Sequence, residues 1–416
     1  MLTQAEVLAR LAARRPNYAL ERDLYCDDGV FAADLEHVFY REWLFAAPSA
    51  ALPKPGSFVT LQIGAYPVVV VRSADGMVRA FHNVCRHRGQ RLCAKDSGTT
   101  PKLVCPYHQW TYDLDGKLVY ARDMQDSFDP AAHGLKKVHC IDLGGMVFLC
   151  LAQVPPPIAD LAKNLMAYLA PSGLKEAKVA HTSTIVEKGN WKLVLENNRE
   201  CYHCGGSHPS LCRTYSDNPR MTAMEGPDKA SPDILAHWTR CEAAGLPSRF
   251  VHHPDMQWRL ARIPLLNNAE SYTLSTKAAV AQRLGAMPFN DAGSLLFYHY
   301  PNTWNHFLGD HAIVFRVLPI SATETEVTTT WLVHKDAVEG VDYDLQTLTE
   351  VWTATNDEDR QVVEENQKGI LSPAYEPGPY STLQEEGVIQ FVDWYAKTMT
   401  ERLAPRQAPH SSHAAE

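Results

Sequence analysis

The sequence predicts an α+β fold with a β-rich domain at 48–152 and a larger domain at 153–403 that combines an antiparallel sheet with helices. Two observations support this prediction. From about residue 50 to 152, short β-rich runs alternate with turn signals such as PKPG and SADG. Beyond the proline-rich boundary VPPPIAD, strand-like runs are followed by two long helical segments. The 416 residues accommodate two to three domains, since a domain takes roughly 150 residues.

The segment before the β-rich domain, 1–47, is predicted to be helical. Residues 2–14 and 31–43 carry apolar side chains at helical spacing. We expect both helices to pack on the second domain. The runs SFVTLQIG, YPVVVVRS and MVRAFHNV then open the β-rich domain, and GGMVFLCL closes it near residue 151.

Helices and strand-like runs alternate along the second domain. The predicted helices are 158–168, 191–204, 343–369 and 382–403. The strand-like runs are VAHTSTIVEK, SYTLST, SLLFYHYPN, HAIVFRVLPI and EVTTTWLVHK. The stretch 205–250 is expected to be irregular because it is rich in Gly, Pro, Ser and Arg, and the tail 404–416 is expected to be disordered.

Composition excludes several classes of protein. The net charge of −9 argues against a general nucleic-acid binder, which would show a basic excess. No apolar stretch reaches the roughly 20 residues of a membrane-spanning helix, and the N-terminus lacks the apolar region of a signal peptide. We therefore expect a cytoplasmic protein, in which the ten cysteines would be thiols or metal ligands rather than disulfides.

Two short segments, NVCRHRG and VCPYHQW, each carry one cysteine and one histidine: Cys85 with His87, and Cys105 with His108. A Rieske [2Fe–2S] cluster needs two thiolates on one iron and two imidazoles on the other, so two such loops can hold it. A Cys2His2 zinc site and ordinary core residues remain alternatives, although zinc modules more often pair like with like. Trp110, just after the second loop, either shields the site or packs in the core.

The stretch ENNRECYHCGGSHPS contains a second set of metal-binding side chains. Glu200 and His203 would share one face of a helix, because they are three residues apart. His203 and His208 converge only if the helix breaks between them, and Gly205 and Gly206 are predicted to supply the break. Two histidines with one carboxylate form the facial triad of non-haem Fe(II), which leaves positions open for O2.

The carboxylate of that triad is expected from the acidic stretch NDEDRQVVEENQ, which lies in a predicted helix. Its candidates are Asp357, Glu358, Asp359, Glu364 and Glu365. A solvated acidic helix face is the alternative explanation for such a charge run. A second alternative for the whole set is a zinc site, since thiolates favour zinc. Its ligands would be Cys201, His203, Cys204 and His208.

With both motifs in this order, the sequence resembles the catalytic α subunits of Rieske non-haem iron oxygenases, the aromatic-ring-hydroxylating dioxygenase family. The resemblance covers nearly the whole chain, from FYREWLFA to the acidic helix. It implies a catalytic domain of helix-grip type and two ligand sets. The [2Fe–2S] ligands would be Cys85, His87, Cys105 and His108, and the mononuclear iron ligands His203, His208 and Asp359. Asp359 is preferred because the family's aspartate is followed five residues later by a glutamate, here Glu364.

Two positions depart from the family pattern: Glu200 stands where an aspartate is usual, and Gln109 where a glycine is usual. The resemblance implies a homotrimer in which Glu200 bridges His108 of one subunit and His203 of the next, and so carries electrons between them. It also implies a separate flavin and iron–sulfur reductase, through which NAD(P)H is used indirectly.

Glu at position 200 and the segments ENNRECYHC and HYPNTWNHFLGDHAIVFRVLP resemble the quaternary-amine branch of the family. The implied reaction is the O2-dependent N-demethylation of glycine betaine to dimethylglycine and formaldehyde. Stachydrine, carnitine and choline are alternative substrates, and hydroxylation of an aromatic ring is an alternative reaction. A zinc-stabilised binding protein without redox activity, and a pure electron-transfer Rieske protein, are alternatives outside this enzyme class.

A quaternary ammonium group cannot accept a hydrogen bond, so aromatic faces bind it best. Ordinary core packing is the favoured alternative for each candidate of that cage, because aromatic side chains in strand-like runs usually pack inside. The candidates are Trp258, Phe289, Tyr298, Tyr300, Trp304 and Phe307. His306 or Arg316 is the candidate partner for a substrate carboxylate.

Overall fold

The computed structural model describes residues 1–218 and 230–404 and folds them around two seven-stranded antiparallel sheets. Before the first sheet, the chain forms short helices; the helix predicted at 2–14 is present, whereas the one predicted at 31–43 begins earlier and ends at Phe39. A capping box between Thr3 and Glu6 satisfies the first backbone N–H groups of the first helix. The helices of this segment are Gln4–Ala13, Asp23–Cys26 and Asp28–Asp34, followed by a π-helical turn at Leu35–Phe39.

The β-rich domain is built on a sheet with the strand order β1-β10-β9-β4-β3-β2-β5. Its strands are β1 Leu44–Pro48, β2 Ser57–Ile63, β3 Tyr66–Arg72, β4 Val78–His82, β5 Ser97–Thr99, β9 Lys137–Leu143 and β10 Met146–Cys150. A smaller three-stranded sheet consists of β6 Leu103–Val104, β7 Thr111–Tyr112 and β8 Leu118–Tyr120. Because Leu44 pairs with Leu149, the main sheet begins before the predicted domain start at residue 48.

The second sheet has the order β11-β17-β16-β15-β14-β13-β12. Its strands are β11 Lys178–Glu187, β12 Val251–His252, β13 Trp258–Ile263, β14 Ser294–His299, β15 Thr303–Phe307, β16 His311–Ser321 and β17 Glu324–Val333. The helices of this domain are Ala159–Leu169, Trp191–Asn198, Cys204–Ser207, Pro232–Ala243, Leu345–Leu371 and Glu386–Leu403. The five central strands, β13 to β17, are almost wholly buried, because helices and the first domain cover the sheet.

Three local predictions about the second domain are wrong. The helix predicted from Trp191 to Cys204 ends at Asn198. The run SYTLST forms turns and bends, because Ser271 and Thr273 donate side-chain hydrogen bonds that replace a strand ladder. The stretch 205–250, predicted to be irregular, contains the helix Pro232–Ala243, which begins with a proline after the N-cap Ser231.

A buried ion pair ties the N-terminal segment to the second domain. The Asp34 carboxylate lies 2.5 Å from the Lys192 ammonium, and neither side chain is exposed. Trp191 Nε1 and the Tyr395 hydroxyl donate to the same carboxylate at 2.9 and 2.7 Å. These bonds hold the start of the helix Trp191–Asn198, which leads directly into the second metal-binding motif.

The tail predicted to be disordered, 404–416, lies outside the described residues except for Ala404. Within the described part of the chain, no helix is both long enough and apolar enough to cross a lipid bilayer.

Candidate active site

Two loops of the β-rich domain bring the first four predicted ligands together. Cys85 and Cys105 are buried, whereas His87 and His108 are exposed. The two imidazole rings lie 4.7 Å apart, centroid to centroid. Two thiols on the inside and two imidazoles on the outside are the donor set of a Rieske cluster, in which each pair binds its own iron. The residues present therefore fit that group, which Cys85, Cys105, His87 and His108 would hold.

The two loops have the same backbone conformation. In each loop, the N–H of the cysteine donates to the carbonyl five residues later, at 2.8 Å. Gly89 and Gln109 occupy equivalent positions, with φ of 79° and 59°. Only glycine adopts this left-handed region without a steric penalty, so Gln109 introduces strain where the other loop has none.

Aromatic side chains support both kinds of ligand. Trp110 is buried and stacks on the His87 ring, with the centroids 4.9 Å apart and the planes 7° from parallel. The Tyr112 hydroxyl lies 3.4 Å from Cys85 Sγ and accepts a hydrogen bond from the backbone N–H of Arg86. Trp110 is thus both a core residue and a shield for one imidazole.

The second motif meets the acidic helix at three donor atoms. His203 Nε2 lies 3.0 Å from His208 Nε2 and 3.2 Å from Asp359 Oδ1, and His208 Nε2 lies 3.0 Å from the same oxygen. Ligands about 2.1 Å from a metal are about 3.0 Å apart on an octahedral face and about 3.4 Å apart in a tetrahedron. The triangle therefore fits a facial triad better than a tetrahedral zinc site.

Two further carboxylates orient the imidazoles. His203 Nδ1 bonds to Glu200 at 2.5 Å, and His208 Nδ1 bonds to Glu358 at 2.8 Å. Each carboxylate fixes the tautomer that directs Nε2 towards Asp359. Burial works to lower the pKa of His203, but the hydrogen bonds to Asp359 and Glu200 outweigh it and raise the pKa to about 9.

The chain breaks between the ligands at a different place from the one predicted. The helix Trp191–Asn198 ends before Glu200, and a turn carries His203. Gly205 and Gly206, predicted to be the break, lie within the short helix Cys204–Ser207. Glu200 and His203 still meet, because the Glu200 carboxylate accepts the backbone N–H of Tyr202 and of His203 and so closes the turn.

The other acidic candidates for the triad face elsewhere. Asp357 is half exposed and pairs with Arg360 at 3.0 Å, and Glu365 pairs with Lys368 at 2.6 Å. Glu364 accepts the backbone N–H of Lys188 at 3.2 Å.

Cys201 and Cys204 form a disulfide, so the prediction that all cysteines are thiols or metal ligands is wrong for this pair. The turn after Asn198 places their Cα atoms 4.9 Å apart. Cys204 Sγ lies within 4.8 Å of the donor nitrogens of His203 and His208. A disulfide sulfur is not the thiolate that binds zinc, which removes the predicted alternative of a Cys2His2 zinc site here.

A small cavity opens on the three donor atoms. Its volume is about 60 Å³. Of the six aromatic residues predicted for a cage, only Tyr298 and Trp304 line it. Tyr215, Phe297 and Trp352 also line it and were missed.

The remaining cage candidates have other roles in the described structure. Trp258 and Phe307 are core residues between the sheet and the first domain, and Phe289 packs against the same core. Tyr300 is fully buried and its hydroxyl accepts a hydrogen bond from Arg199 at 3.0 Å. These four aromatic residues are therefore interior packing residues and do not line the cavity.

Neither predicted partner for a substrate carboxylate can serve as a cation in the cavity. Arg316 lies outside the cavity lining and bonds to the Ala46 carbonyl and to Glu326. His306 lines the cavity, but burial, reinforced by His311, lowers its pKa to about 3. Its imidazole is therefore neutral.

Residues 42–139 match the family described as Rieske [2Fe-2S] domain, and residues 174–401 match the family described as ring hydroxylating alpha subunit (catalytic domain). The chain belongs to the ring-hydroxylating oxygenase α-subunit family. Its cofactors are a Rieske [2Fe–2S] cluster and a mononuclear non-haem iron, and O2 is its cosubstrate. The predicted family, α+β fold and enzyme class, a Rieske-type non-haem iron monooxygenase, are confirmed.

Two relatives of this family member match over most of their length. The glycine betaine monooxygenase oxygenase subunit of Pseudomonas aeruginosa (strain UCBPP-PA14) is 48% identical over 96% of this chain and 93% of the relative. The protein of the same name from Chromohalobacter salexigens is 48% identical over 94% of this chain and 88% of the relative. These matches make the chain the oxygenase component of a multi-component Rieske system.

Solved structures share the fold. The quaternary ammonium Rieske monooxygenase CntA in complex with L-carnitine has a TM-score of 0.70 at 23% identity, and the match covers 94% of this chain and 98% of that one. Naphthalene 1,2-dioxygenase from Rhodococcus sp. bound to indole has a TM-score of 0.69 at 16% identity, and the match covers 97% and 98% of the two chains. Both likenesses concern the two-domain fold alone.

Proposed function

We propose that this oxygenase N-demethylates glycine betaine to dimethylglycine and formaldehyde. The observation that carries the proposal is the 48% identity, over nearly the whole chain, to oxygenase subunits named for glycine betaine. The reaction consumes O2, two electrons and two protons, and releases water. A methyl C–H becomes C–OH. The resulting N-hydroxymethyl ammonium then splits its C–N bond, and its hydroxyl proton passes to the nitrogen, which gives formaldehyde and dimethylglycine protonated at its amine.

In this proposal, 48–152 is the cluster domain, to whose main sheet the strand Leu44–Pro48 is added, and 153–403 is the catalytic domain. The helices of 1–47 pack on the catalytic domain. Cys85, His87, Cys105 and His108 hold the cluster, and His203, His208 and Asp359 hold the iron. When bound, these groups deliver electrons and activate O2. The protein's own part is to fix the ligands, orient the substrate and exclude bulk water.

Trp304 and Trp352 are suited to hold the trimethylammonium group. Trp304 stacks on Phe315, and Phe315 contacts Trp352, with ring centroids 5.0 and 5.1 Å apart. Trp352, Thr355 and Asp359 lie on one face of the helix Leu345–Leu371 and all line the cavity. Aromatic faces next to the iron ligand therefore present an N-methyl group to the reactive position.

Electrons enter through a second copy of the chain. We propose a homotrimer in which the exposed His108 of one subunit contacts Glu200 of the next, and Glu200 relays to His203 through the 2.5 Å hydrogen bond. A separate flavin and iron–sulfur reductase, which oxidises NAD(P)H, supplies the electrons. The longer glutamate in place of the usual aspartate keeps the charge and both acceptor oxygens, so it can make this bridge.

Stachydrine and carnitine share the quaternary ammonium and the carboxylate with glycine betaine and are the nearest alternatives. Choline lacks the carboxylate. An aromatic hydrocarbon offers no acceptor to the polar groups that line the cavity, which would remain unpaired at a cost of about 1–3 kcal/mol each. The polarity of the cavity therefore favours the betaines over ring hydroxylation.

A single turnover tests the proposal without the reductase. The purified protein is reduced with dithionite, freed of excess reductant, and mixed with glycine betaine and O2. We expect formaldehyde and dimethylglycine in equal amounts, stoichiometric with the active sites. If iron-replete protein demethylates stachydrine or carnitine but not glycine betaine, the proposed substrate is wrong. Protein that demethylates none of them would contradict the reaction.

A further inference from the structure

Two buried arginines line the same cavity as the proposed iron ligands. Arg199 directly follows the helix Trp191–Asn198 and is 4% exposed, and Arg259 lies in β13 and is 1% exposed. Nη2 of Arg199, and Nε and Nη1 of Arg259, have no hydrogen-bond partner. Among the described residues, no carboxylate forms an ion pair with either arginine.

The neighbours of these arginines orient the guanidinium groups without neutralising them. The Arg199 guanidinium carbon lies 3.8 Å from the centroid of the Tyr298 ring, and that of Arg259 lies 5.3 Å from the same centroid. Arg199 Nε donates to the neutral Tyr300 hydroxyl at 3.0 Å. Burial lowers the pKa of Arg259, and the nearby charge of Arg199 lowers it further.

Such an arrangement is costly in the empty protein. A charge removed from water must be compensated by a partner, and here two like charges share one aromatic ring. An anionic ligand that enters the cavity would supply both the opposite charge and the missing hydrogen-bond acceptors. The planar fork of a guanidinium group matches the two oxygens of a carboxylate.

We infer that Arg199 and Arg259 bind the substrate carboxylate and thereby select carboxylate-bearing quaternary ammonium compounds over alcohols such as choline. The inference rests on the proposed function and names the recognition of that same site. It replaces Arg316 and His306, the partners predicted from the sequence.

Two kinds of side chain line the cavity, and their chemistry orients the substrate. Trp352 and Thr355 are on the same helix face as Asp359, so the Trp352 ring lies beside an iron ligand and can hold the methyl groups there. The arginines repel an ammonium group and attract a carboxylate. The substrate therefore binds with its carboxylate at Arg199 and Arg259 and with its methyl groups towards the donor triangle.

Calorimetric titration of the purified holoprotein under anaerobic conditions tests this inference. Glycine betaine and choline share the trimethylammonium group and differ in the carboxylate. We expect wild-type protein to bind glycine betaine at least about tenfold more tightly than choline. Arg259→Gln and Arg199→Gln should each lower the affinity for glycine betaine by about 10- to 100-fold, which is the size of a lost charge-assisted interaction. The affinity for choline should change by less than about threefold.

Arg262→Gln is the matched control. Arg262 is also fully buried in β13 and has unpartnered guanidinium nitrogens, but it does not line the cavity. It should leave the ratio of the two affinities unchanged. If the glutamine variant does not fold, Arg259→Lys takes its place, because lysine keeps the charge and loses the planar fork of the guanidinium group. This variant should lower the affinity for glycine betaine by about three- to tenfold and leave the affinity for choline unchanged.

The outcomes separate this inference from the proposed function. The carboxylate assignment would be overturned if the Arg259 variant lost affinity for glycine betaine and choline equally. It would also be overturned if Arg262→Gln changed the ratio of the two affinities as much as Arg259→Gln does. Either result would hold even if glycine betaine is turned over. If wild-type protein binds carnitine or stachydrine but not glycine betaine, and Arg259→Gln weakens that binding, the assignment stands and the proposed substrate is wrong. No binding of any of the three would overturn both.

Discussion

Glu358 is expected to control iron affinity although it does not touch the metal in our assignment. Its carboxylate bonds to His208 Nδ1 at 2.8 Å, and His208 is 1% exposed. Loss of such an outer partner typically lowers metal affinity 10- to 100-fold, or about 1.4–2.7 kcal/mol. The Glu358 side chain is 29% exposed, so water can reach the space that Glu358→Ala opens and partly replace the lost acceptor. We therefore expect this variant to fall in the lower half of that range.

The assay is iron retention against a graded series of chelator concentrations. The absorption of the [2Fe–2S] cluster, which lies in the other domain, serves as the internal standard for intact protein. Glu358→Gln keeps an acceptor oxygen without the charge and should lie between Glu358→Ala and wild type.

Asp357→Ala is the matched control, because Asp357 is the preceding residue on the same helix but is half exposed and pairs with Arg360. It should retain iron as the wild type does. Equal loss of iron from the Asp357 and Glu358 variants, or less than about a threefold effect for Glu358→Ala, would refute the reasoning.

Three further predictions concern the ligands, a strained loop and a buried acid. His203→Ala and Asp359→Ala should each remove the mononuclear iron and leave the cluster's absorption intact; loss of both signals would contradict two separate sites. Gln109→Gly should raise the free energy of unfolding of the oxidised protein by about 0.5–1 kcal/mol in chemical denaturation. The φ of 59° costs glutamine about 1–2 kcal/mol, and the greater conformational entropy of glycine in the unfolded chain offsets part of this gain. Burial raises the pKa of Glu196 from 4.5 to about 7, so between these values the folded state keeps a proton that the unfolded state releases. The contribution of Glu196 to the free energy of unfolding should therefore fall by about 3 kcal/mol as the pH rises from 4.5 to 7. Relative to wild type, Glu196→Gln should have a higher free energy of unfolding at pH 8 than at pH 5. An unchanged difference between the two pH values would show that Glu196 is ionised in the folded protein.

The local character of the metal motifs made them predictable. Cys85 and His87 are two residues apart, and His203 and His208 are five apart, so each pair is confined to one short loop or turn. The strand runs and the two long C-terminal helices were also visible, because burial of one face imposes a period on the sequence. The break in the ligand segment was placed wrongly at Gly205, since the turn is closed by the Glu200 side chain and not by glycine flexibility.

The lining of the cavity could not be predicted in the same way. Trp352 and Asp359 share a helix face, a signal that was available in the sequence. Arg199 and Arg259, in contrast, are sixty residues apart and meet only around the Tyr298 ring. Buried aromatic residues in strands look alike in sequence whether they face a cavity or the core, which is why Trp258 and Phe307 were candidates and pack in the core.

The sequence by itself determined the two kinds of metal-binding motif, the α+β class and the membership of the Rieske oxygenase family, because these depend on residue types at short spacing. The tertiary structure decided that Glu358 bonds to His208 Nδ1, that Cys201 pairs with Cys204, and which cations line the cavity. The physical reason is that contacts between distant segments depend on how the sheet, the helices and the turns pack, and side-chain direction is set only when that packing is complete.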